Sequence, residues 1–462
     1  LALNTAMHDM MCGACISLNL CPLLSQGQIE ALEHHATEEL QNLYLPKLIS
    51  GEWTGTMNLT EPQAGSDVGA LTSKAELQAD GTYKISGQKI FITWGEHDVA
   101  ENICHLVLAR LPDGKPGPKG ISLFLVPKFI PNADGSLGVR NDLRCVSLEH
   151  KLGIHGSPTA VMEFSGATGW LVGQEHNGMA CMFTMMNNAR LAVGMQGVGV
   201  AEGAYQHALA YAMDRKQGRA MIADGTGAII DHADVRRMLA QMKSEIFAAR
   251  AIGVACAVAI DMTKATGDAD WRARAALLTP ITKSFGSDTG VAVADLGVQI
   301  HGGMGFVEET AAAQYLRDVR ITPIYEGTNG IQAMDLVARK MMDGGAAAFA
   351  LMDEMVTLAS ASSSKLAVAV LTSIVELRST TEWLLTQELN DRFAGAVAYQ
   401  KAFARVLGGY FHLVAAMSGK GKRVRMATIY INSLLPEYMA LCAQARSGAG
   451  DLYALELDDF AA

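Results

Sequence analysis

The apolar pattern of this chain changes its period twice, and this change constrains the fold more than any other feature. Residues 1–50 carry apolar residues at helical spacing. From Gly51 to about residue 165, turn signals separate short runs rich in Val, Ile, Thr, Phe and Tyr, which indicates an antiparallel sandwich or barrel. After residue 177 the helical period returns. Because these blocks are segregated rather than alternating, the sequence predicts an α+β protein with separate domains.

Local signals place several elements and boundaries within these blocks. Long helices are predicted over residues 179–213, 234–262 and 269–296. Pro280 lies inside the last of them, which predicts a kink or a break. The Asp80-Gly81 pair predicts a hairpin turn, and Gly344-Gly345 predicts a boundary before a final helical segment. We therefore predict four domains, over residues 1–50, 51–170, 171–345 and 346–462.

Composition excludes several broad classes of protein. Of the 462 residues, 50% are hydrophobic and 18% are charged, which is unlike a disordered chain. The net charge is −10, so nucleic acid is not an expected partner. We find no apolar run of the roughly eighteen uncharged residues that a spanning helix needs, and expect no membrane partner. The first residue is Leu1 and no signal-peptide pattern follows, so we expect a bacterial cytoplasmic protein whose chain begins further upstream.

The eight cysteines do not have the spacing of a disulfide framework or a metal site. Cys12 and Cys15 form one C-x-x-C pair, but a zinc ribbon needs a second pair at suitable spacing. A thioredoxin-like motif needs a preceding strand, whereas the flanking residues here are Met-rich and typical of a helix. We expect the cysteines to be small core residues of a reduced protein, and we expect no metal.

Four short segments carry the chemistry, although each alone has an ordinary structural interpretation. Thr60 to Asp67 contains a Gly-Ser-Asp turn whose N–H groups and hydroxyl can meet a carbonyl or an anion. In Phe91 to Trp94, at a predicted strand end, a Thr hydroxyl beside aromatic rings can face a planar heterocycle. Gln299 to Phe306 contains glycines that let a backbone approach a ligand. In Ile324 to Gly330 the lone carboxylate of Glu326 can act as a general base once desolvated, or can simply begin a helix.

In this order and at these distances, the four segments resemble the acyl-CoA dehydrogenase family. The resemblance runs from about residue 1 to residue 341. It implies an N-terminal helical domain, here truncated by roughly one hundred residues, a middle β-barrel and a C-terminal four-helix bundle with a helical extension beyond it. It also implies FAD as the cofactor and an acyl-CoA thioester as the substrate.

The resemblance assigns FAD-binding roles to matching positions. The flavin pyrimidine edge would be lined by Asn58, Leu59 and Thr60. The isoalloxazine would be flanked by Phe91, where the family often has Trp, and by Thr93 near N5. The pyrophosphate of a neighbouring subunit's FAD would be reached by Arg215 and Gln217, although Gly218 stands where a Phe commonly follows. The adenosine side would contact Gln299, Gly302 and Gly303, and Thr328 would touch FAD after the catalytic loop.

The resemblance also assigns the base and the substrate contacts. Glu326 matches the catalytic base that removes the α-proton of the thioester while a β-hydride moves to flavin N5. Some relatives carry this Glu on the bundle helix instead, at the position that Ala189 occupies here. Substrate contacts would come from Ser66, Arg190, Tyr325 and Gly327. The product would be a trans-2-enoyl-CoA, with an electron-transfer flavoprotein as the acceptor. Because Arg215 would serve a neighbour's FAD, a homodimer or homotetramer is expected.

Within the family, the motifs around His155, Gly303 and Tyr325 and the helical tail are similar to the larger bacterial members. They are especially similar to members acting on 3-methylmercaptopropionyl-CoA in dimethylsulfoniopropionate breakdown. Ordinary straight-chain fatty acyl-CoA of β-oxidation is the alternative substrate.

Two other functions stay open at this point. Lys420 to Arg425 forms a basic cluster of the kind that alkylation-response flavoproteins use to bind DNA, and an acyl-CoA oxidase would share the same motifs.

Overall fold

The computed structural model describes residues 1–419 and 421–461, apart from the side chain of Asn187. Its contacts divide the chain into two compact units. The helical unit comprises Leu1–Ala14 and Arg190–Ala462, and the sheet unit comprises Cys15–Ala189. The division into four domains predicted above is not tested by these contacts and stays a prediction.

Helices precede the sheet, as the sequence predicts. Helix α1 spans Ala2–His35, with a non-helical residue at Cys15, and α2 spans Glu38–Ser50. The side chain of Thr37 caps α2 by accepting a hydrogen bond from the backbone N–H of Leu40 at 3.5 Å. Gly51 ends this helix at a φ of +81°, a conformation that favours glycine.

The sheet unit is built on a barrel, as predicted. Its strands are β1 (Trp53–Asn58), β2 (Lys74–Leu77), β3 (Tyr83–Thr93), β4 (Asn102–Arg110), β5 (Ile121–Pro127), β6 (Phe129–Pro131), β7 (Leu137–Arg140), β8 (Leu143–Leu148) and β9 (Thr159–Val172). The main sheet runs β1-β4-β2-β3-β9-β5, with β8 on β9, and the pairing of β4 with β5 closes it. Strands β6 and β7 form a separate hairpin.

Two strand pairs differ from the antiparallel arrangement that the sequence predicts. Strand β1 pairs with β4 in parallel, from Trp53 beside Asn102 to Asn58 beside Val107. Strand β2 meets β4 in parallel through the single pair Lys74 and Arg110. Long connections separate these strands in the chain, and a parallel pair needs such a connection. The predicted turn at Asp80-Gly81 is confirmed, since it joins the antiparallel strands β2 and β3.

The sheet unit has two apolar cores. One lies inside the barrel and includes Ile85, Phe124 and Phe164. The other packs the helices against the outside of the sheet and includes Leu32, Tyr44 and Trp53. Every residue of β5 is buried. A strand buried on both faces is rigid, so the barrel can hold the loops at its strand ends in fixed positions.

The helical unit contains long helices that pack along one another. They are α3 (Gly178–Asp214), which begins in the sheet unit, α4 (Ala233–Thr266), α5 (Ala269–His301), α6 (Ala312–Val319), α7 (Asn329–Val337), α8 (Ala346–Ser360), α9 (Lys365–Leu385), α10 (Leu389–Ser418), α11 (Lys422–Ile429), α12 (Glu437–Ala445) and α13 (Gly450–Tyr453). One apolar core includes Met242 of α4, Ile281 of α5 and Phe403 of α10. The C-terminal helices therefore share a core with the bundle.

Helix α5 is continuous through Pro280, so the predicted break does not occur, and a kink there stays a prediction. Pro280 and its neighbours Leu278 and Ile281 are buried, and this packing outweighs the lost backbone hydrogen bond.

Helices α3 and α5 also approach closely. A Cβ on Gly197 would lie 2.2 Å from the carbonyl oxygen of Gly286, so only glycine fits there. Gly197 of α3 therefore serves helix packing.

Two helices, α1 and α4, are long and apolar enough over an 18-residue window to pass a composition test for a membrane span. Within the protein, 56% of the α1 window and 44% of the α4 window are buried. Core helices of a bundle pass the same test because their buried faces are apolar. In α4 that face includes Met242 and Ile252, which belong to the core of the helical unit.

The eight cysteines are free thiols. Six of them are buried core residues, as predicted. The prediction is wrong for Cys15, which is exposed, and for Cys145, which is only partly buried. Cys15 is the residue where α1 leaves helical geometry, with φ −161° and ψ 96°. The prediction from apolar spacing assumes a regular helix, and the helix is interrupted at this residue.

Candidate active site

Glu326 lies on a short loop between α6 and α7 in the helical unit. Its backbone has a φ of +56°, which is rare for a residue with a side chain, and Gly327 follows at +83°. Helix α7 begins only after Thr328, whose side chain accepts a hydrogen bond from the backbone N–H of Ile331 at 3.2 Å. Glu326 therefore does not begin a helix, which was the ordinary interpretation of this segment. The strained backbone presents its carboxyl group from a fixed loop.

Neighbouring side chains hold this loop in place. The hydroxyl of Tyr325 donates a hydrogen bond to Oε1 of Gln196, a buried residue of α3. Nε2 of Gln332 lies 3.4 Å from the backbone oxygen of Glu326 and donates to it. Gly327, between them, has a φ of +83°, a backbone conformation that favours glycine. The loop is thus attached to α3 on one side and to α7 on the other.

The electrostatics around Glu326 suit a proton acceptor. Burial raises the pKa of Glu326, and the nearby cations Arg190 and Lys283 lower it, with a net value of about 7. Arg190 of α3 is only 7% exposed, and Lys283 of α5 is fully buried. A carboxyl group with a pKa near neutrality can take a proton and release it again at physiological pH.

The sequence analysis did not identify Lys283 or its partner Asn329. Nζ of Lys283 donates to Oδ1 of Asn329 at 2.9 Å. The amide nitrogen of Asn329 in turn donates to Oδ1 of Asp288 at 2.7 Å. A lysine inside an otherwise apolar and small-residue stretch of a predicted helix was the available signal, because lysine is rarely buried without a partner.

In the sheet unit, the structure brings together the Thr60 segment and the end of β3. The backbone N–H of Ile90 donates to the carbonyl oxygen of Thr60 at 2.9 Å. Nζ of Lys89 donates to the carbonyl oxygen of Leu59 at 3.1 Å. The predicted flavin-edge residues Asn58, Leu59 and Thr60 therefore lie beside the strand that carries Phe91 and Thr93.

A buried ion pair fixes this arrangement, and the sequence analysis missed it. Nζ of Lys89 lies 2.8 Å from Oε1 of Glu61, and both side chains are almost fully buried. The Glu61 carboxylate also accepts hydrogen bonds from the backbone N–H and hydroxyl groups of Thr72 and Ser73. Burial alone would raise the pKa of Glu61, but Lys89 and these hydrogen bonds outweigh it and lower the pKa to about 2.

Phe91 is placed as an exposed aromatic ring. It is 59% exposed, has a φ of +60° and lies at an irregularity of β3 between Lys89 and Ile92. Thr93, two residues on, is partly buried. Asn58 is fully buried, and its Oδ1 atom has no hydrogen-bond partner in the structure. Strained backbone of this kind is concentrated at ligand-binding and active sites, so Phe91 is a candidate ligand contact.

The remaining predicted site residues lie on exposed segments. Ser66 is exposed on the loop after β1. Arg215 and Gln217 are exposed just after α3, and Gln299, Gly302 and Gly303 are exposed at the end of α5. The ring of Tyr211 stacks on that of His301 at 4.4 Å, so the end of α3 and the end of α5 lie side by side. The two predicted FAD-binding segments of the helical unit are thereby neighbours.

Family models match most of the chain. They describe the acyl-CoA dehydrogenase middle domain over residues 56–167, the acyl-CoA dehydrogenase C-terminal domain over 176–342 and an acetyl-CoA dehydrogenase C-terminal-like domain over 348–456. An acyl-CoA dehydrogenase of Bacillus subtilis is 32% identical over 318 residues, which cover 68% of this chain and 74% of that protein.

The chain belongs to the acyl-CoA dehydrogenase family.

Other members are more similar in sequence. A 3-methylmercaptopropionyl-CoA dehydrogenase of Ruegeria pomeroyi is 53% identical over 348 residues, which cover 74% of this chain and 59% of that protein. A butyryl-CoA dehydrogenase of Syntrophomonas wolfei is 42% identical and covers 72% of this chain. The chain spans 59% and 57% of the lengths of these two relatives.

The fold of this family member is also found in solved structures. An acyl-CoA dehydrogenase of Bacillus anthracis, solved in complex with FAD, superposes with a TM-score of 0.74. The two chains are 23% identical, and the match covers 91% of this chain and 73% of that one. The predicted α+β class, with helices before and after a middle sheet domain, is confirmed.

Proposed function

We propose that the protein containing this chain is an FAD-dependent acyl-CoA dehydrogenase that forms a trans-2-enoyl-CoA. The observation that carries the proposal is the environment of Glu326. A single carboxyl group stands on a strained loop, is partly buried, and has a pKa raised to about 7 beside two buried cations. This is the environment that a general base needs for removing a weakly acidic α-proton at neutral pH.

The residues of each unit fit FAD as the cofactor. In the sheet unit, the exposed ring of Phe91 offers a face for a flat heterocycle, and the buried Oδ1 of Asn58 lacks a partner. In the helical unit, the exposed Arg215 and the glycines at 302 and 303 suit a pyrophosphate and its nucleoside. When bound, FAD accepts the β-hydride of the acyl chain.

The chain's own residues would move the proton and orient the thioester. Glu326 takes the α-proton into its carboxylate. The proposed role of the backbone N–H of Glu326 is to donate to the thioester oxygen as negative charge develops there. In the helical unit, the proposed substrate contacts are Arg190, Tyr325 and Gly327. In the sheet unit, Ser66 is proposed to contact the thioester-linked arm of CoA. Thr328 caps α7 and so keeps the loop in register with the helix.

The proposed substrate is 3-methylmercaptopropionyl-CoA, which the Ruegeria pomeroyi relative is named for. Its 53% identity supports this thioether substrate over other acyl groups. A short straight-chain acyl-CoA is the second candidate, because the Syntrophomonas wolfei relative is named for butyryl-CoA. An electron-transfer flavoprotein is the proposed electron acceptor. Slow reoxidation of the reduced flavin in air would support this over an oxidase.

Binding of DNA is the remaining alternative, and the structure gives it little support. Lys420 lies outside the described residues. Within α11, the Arg423 guanidinium lies 4.9 Å from the ring centre of Phe247, so it packs on an aromatic ring of the protein. The net charge is −10. DNA binding that is weak and insensitive to salt would exclude this alternative, because phosphate contacts make affinity strongly salt-dependent.

Arg215 is proposed to bind the FAD pyrophosphate of a second copy in a cytoplasmic homo-oligomer. We expect Arg215→Ala to weaken FAD retention, because a guanidinium makes charge-assisted bonds to phosphate oxygens. The measurement is the flavin-to-protein absorbance ratio after gel filtration, together with the oligomeric state. Arg237→Ala, another exposed arginine of the helical unit that pairs with Asp234, is the matched control. An unchanged FAD content in Arg215→Ala would remove this role.

A further inference from the structure

Lys283 is an ammonium group in the interior of the helical unit. It lies on α5 and has no exposed surface. A buried charge is costly unless other groups compensate it. Its Nζ atom donates to Oδ1 of Asn329 at 2.9 Å. Asn329 is the third residue after Glu326 and the first residue of α7, so this bond ties the buried ammonium to the end of the Glu326 loop.

The charged groups around this cluster come from several elements. The Glu326 loop supplies an anion, and Glu326 and Asp288 favour the charged form of Lys283. Arg190 of α3 disfavours it, and burial lowers the pKa of Lys283 to about 8. Asp335 of α7 and Arg339 after it act on Arg190 with opposite signs. Lys401 of α10 lies 3.8 Å from Asp288 on the side away from Asn329.

Asn329 links Lys283 to Asp288 through its side-chain amide. Its amide nitrogen donates to Asp288 at 2.7 Å, while its oxygen accepts from Lys283. The hydroxyl of Ser287 also donates to the Asn329 oxygen at 3.2 Å. Both the nitrogen and the oxygen of the Asn329 amide therefore have hydrogen-bond partners, and the amide orientation is fixed. A change at Lys283 would free one end of this network.

We propose that Lys283 is a positioning residue for Glu326: it orients the Glu326 loop through Asn329, and its charge favours the ionised form of the Glu326 carboxyl group. This inference rests on the proposed function, in which Glu326 is the base. Arg190 also acts on the Glu326 carboxyl group, and it is itself a proposed substrate contact. Lys283 has no exposed surface, so it is not proposed to contact the substrate.

The direction in which Lys283 shifts the pKa of Glu326 follows from the positive charge of Lys283. An adjacent cation stabilises a carboxylate and lowers its pKa, so removing the Lys283 ammonium raises the pKa of Glu326. The base is active only when ionised. The rate of flavin reduction therefore falls as the pH drops through this pKa, and this fall moves to higher pH in a variant that lacks the cation. The expected shift is roughly one pH unit, the lower end of the effect of a nearby charge.

The test is the pH dependence of acyl-CoA-driven flavin reduction in the flavin-loaded full-length protein. In Lys283→Met, the fall of the reduction rate at low pH (the acidic limb of the pH profile) should lie about one pH unit higher than in the wild type. At high pH the variant should recover much of the wild-type rate. Lys283→Arg, which keeps the charge, should restore the limb toward the wild-type position. Lys365→Met removes an exposed lysine of α9 and is the matched control. An acidic limb of Lys283→Met that coincides with the wild type would overturn the proposal.

A second measurement does not depend on turnover. Infrared titration of the substrate-free protein can follow the carboxyl band that Glu326→Gln removes, and Lys283→Met should raise its midpoint. If Lys283→Met does not fold, Lys283→Gln keeps a partner for Asn329 without the charge and should give the same shift. A lower rate at every pH with an unmoved midpoint would mean a structural role only and would also overturn the proposal. If no acyl-CoA reduces the flavin of the wild-type protein, this result would instead contradict the proposed function.

Discussion

Glu326→Gln is expected to abolish substrate-driven flavin reduction while flavin stays bound. Glutamine has nearly the same shape as glutamate but cannot accept the α-proton. Loss of a positioned general base typically lowers a rate by a factor of about 10² to 10⁴. We expect a loss at the upper end of this range, because the loop around Glu326 offers no second carboxyl group. Stopped-flow reduction under anaerobic conditions measures this rate.

The control for this variant is Glu309→Gln. Glu309 is an exposed residue on the preceding loop, so its replacement removes one negative charge without changing the site. It should leave the reduction rate unchanged. Flavin content and melting temperature should match the wild type in both variants, because neither side chain is proposed to bind the cofactor. Turnover retained by Glu326→Gln would overturn the assignment of the base.

Lys89→Met is expected to lower the free energy of unfolding of the sheet unit by about 3–5 kcal/mol. It leaves the Glu61 carboxylate buried with its hydrogen bonds but without its cation. The Thr60 loop, which is held by Glu61 and by the Lys89 bond to Leu59, should become disordered, and FAD should be lost with it. Urea unfolding and flavin content measure the two effects.

An exposed ion pair provides the comparison. Lys47 pairs with Glu52 on the surface, and Lys47→Met should lower the free energy of unfolding much less than Lys89→Met does, because solvent screens an exposed pair. The double variant Lys89→Met with Glu61→Gln should regain part of the lost stability, because it leaves no unpaired buried charge. Equal costs for Lys89→Met and Lys47→Met would show that the buried pair does not hold the loop.

The pH dependence of the same pair has a definite sign. The folded-state pKa of Glu61, about 2, is below its ordinary value of 4.5. The carboxylate therefore stabilises the folded state at pH values above 4.5. This contribution is lost as the pH falls from 4.5 through about 2.

The order of elements could be predicted from the sequence because it depends on local apolar periodicity. Helices α3, α4 and α5 begin and end near the predicted residues, and the Asp80-Gly81 hairpin forms as expected. The parallel pairing of β1 with β4 could not be predicted, since periodicity shows which face of a strand is buried but not the direction of its partner. The helix does not break at Pro280, because the packing of α5 outweighs a local preference.

The candidate site also contains residues that could be predicted from the sequence and residues that could not. Glu326 could be found because a lone carboxylate between an aromatic residue and a glycine is a local signal. Lys283 and Asn329 are 46 residues apart, and Lys89 and Glu61 are 28 apart. Both pairs exist only once the chain has folded. A lysine in each case looked like an ordinary member of its helix or strand.

The most direct test of the central claim is anaerobic mixing of the flavin-loaded full-length protein with acyl-CoA thioesters. The set contains 3-methylmercaptopropionyl-, butanoyl-, octanoyl- and palmitoyl-CoA, and the measured quantity is the rate at which the absorbance of oxidised flavin is lost. We predict rapid bleaching, fastest with 3-methylmercaptopropionyl-CoA. Fastest bleaching with a straight chain would keep the dehydrogenase and replace the substrate. No bleaching by any of the four thioesters, with FAD bound, would contradict the proposed function.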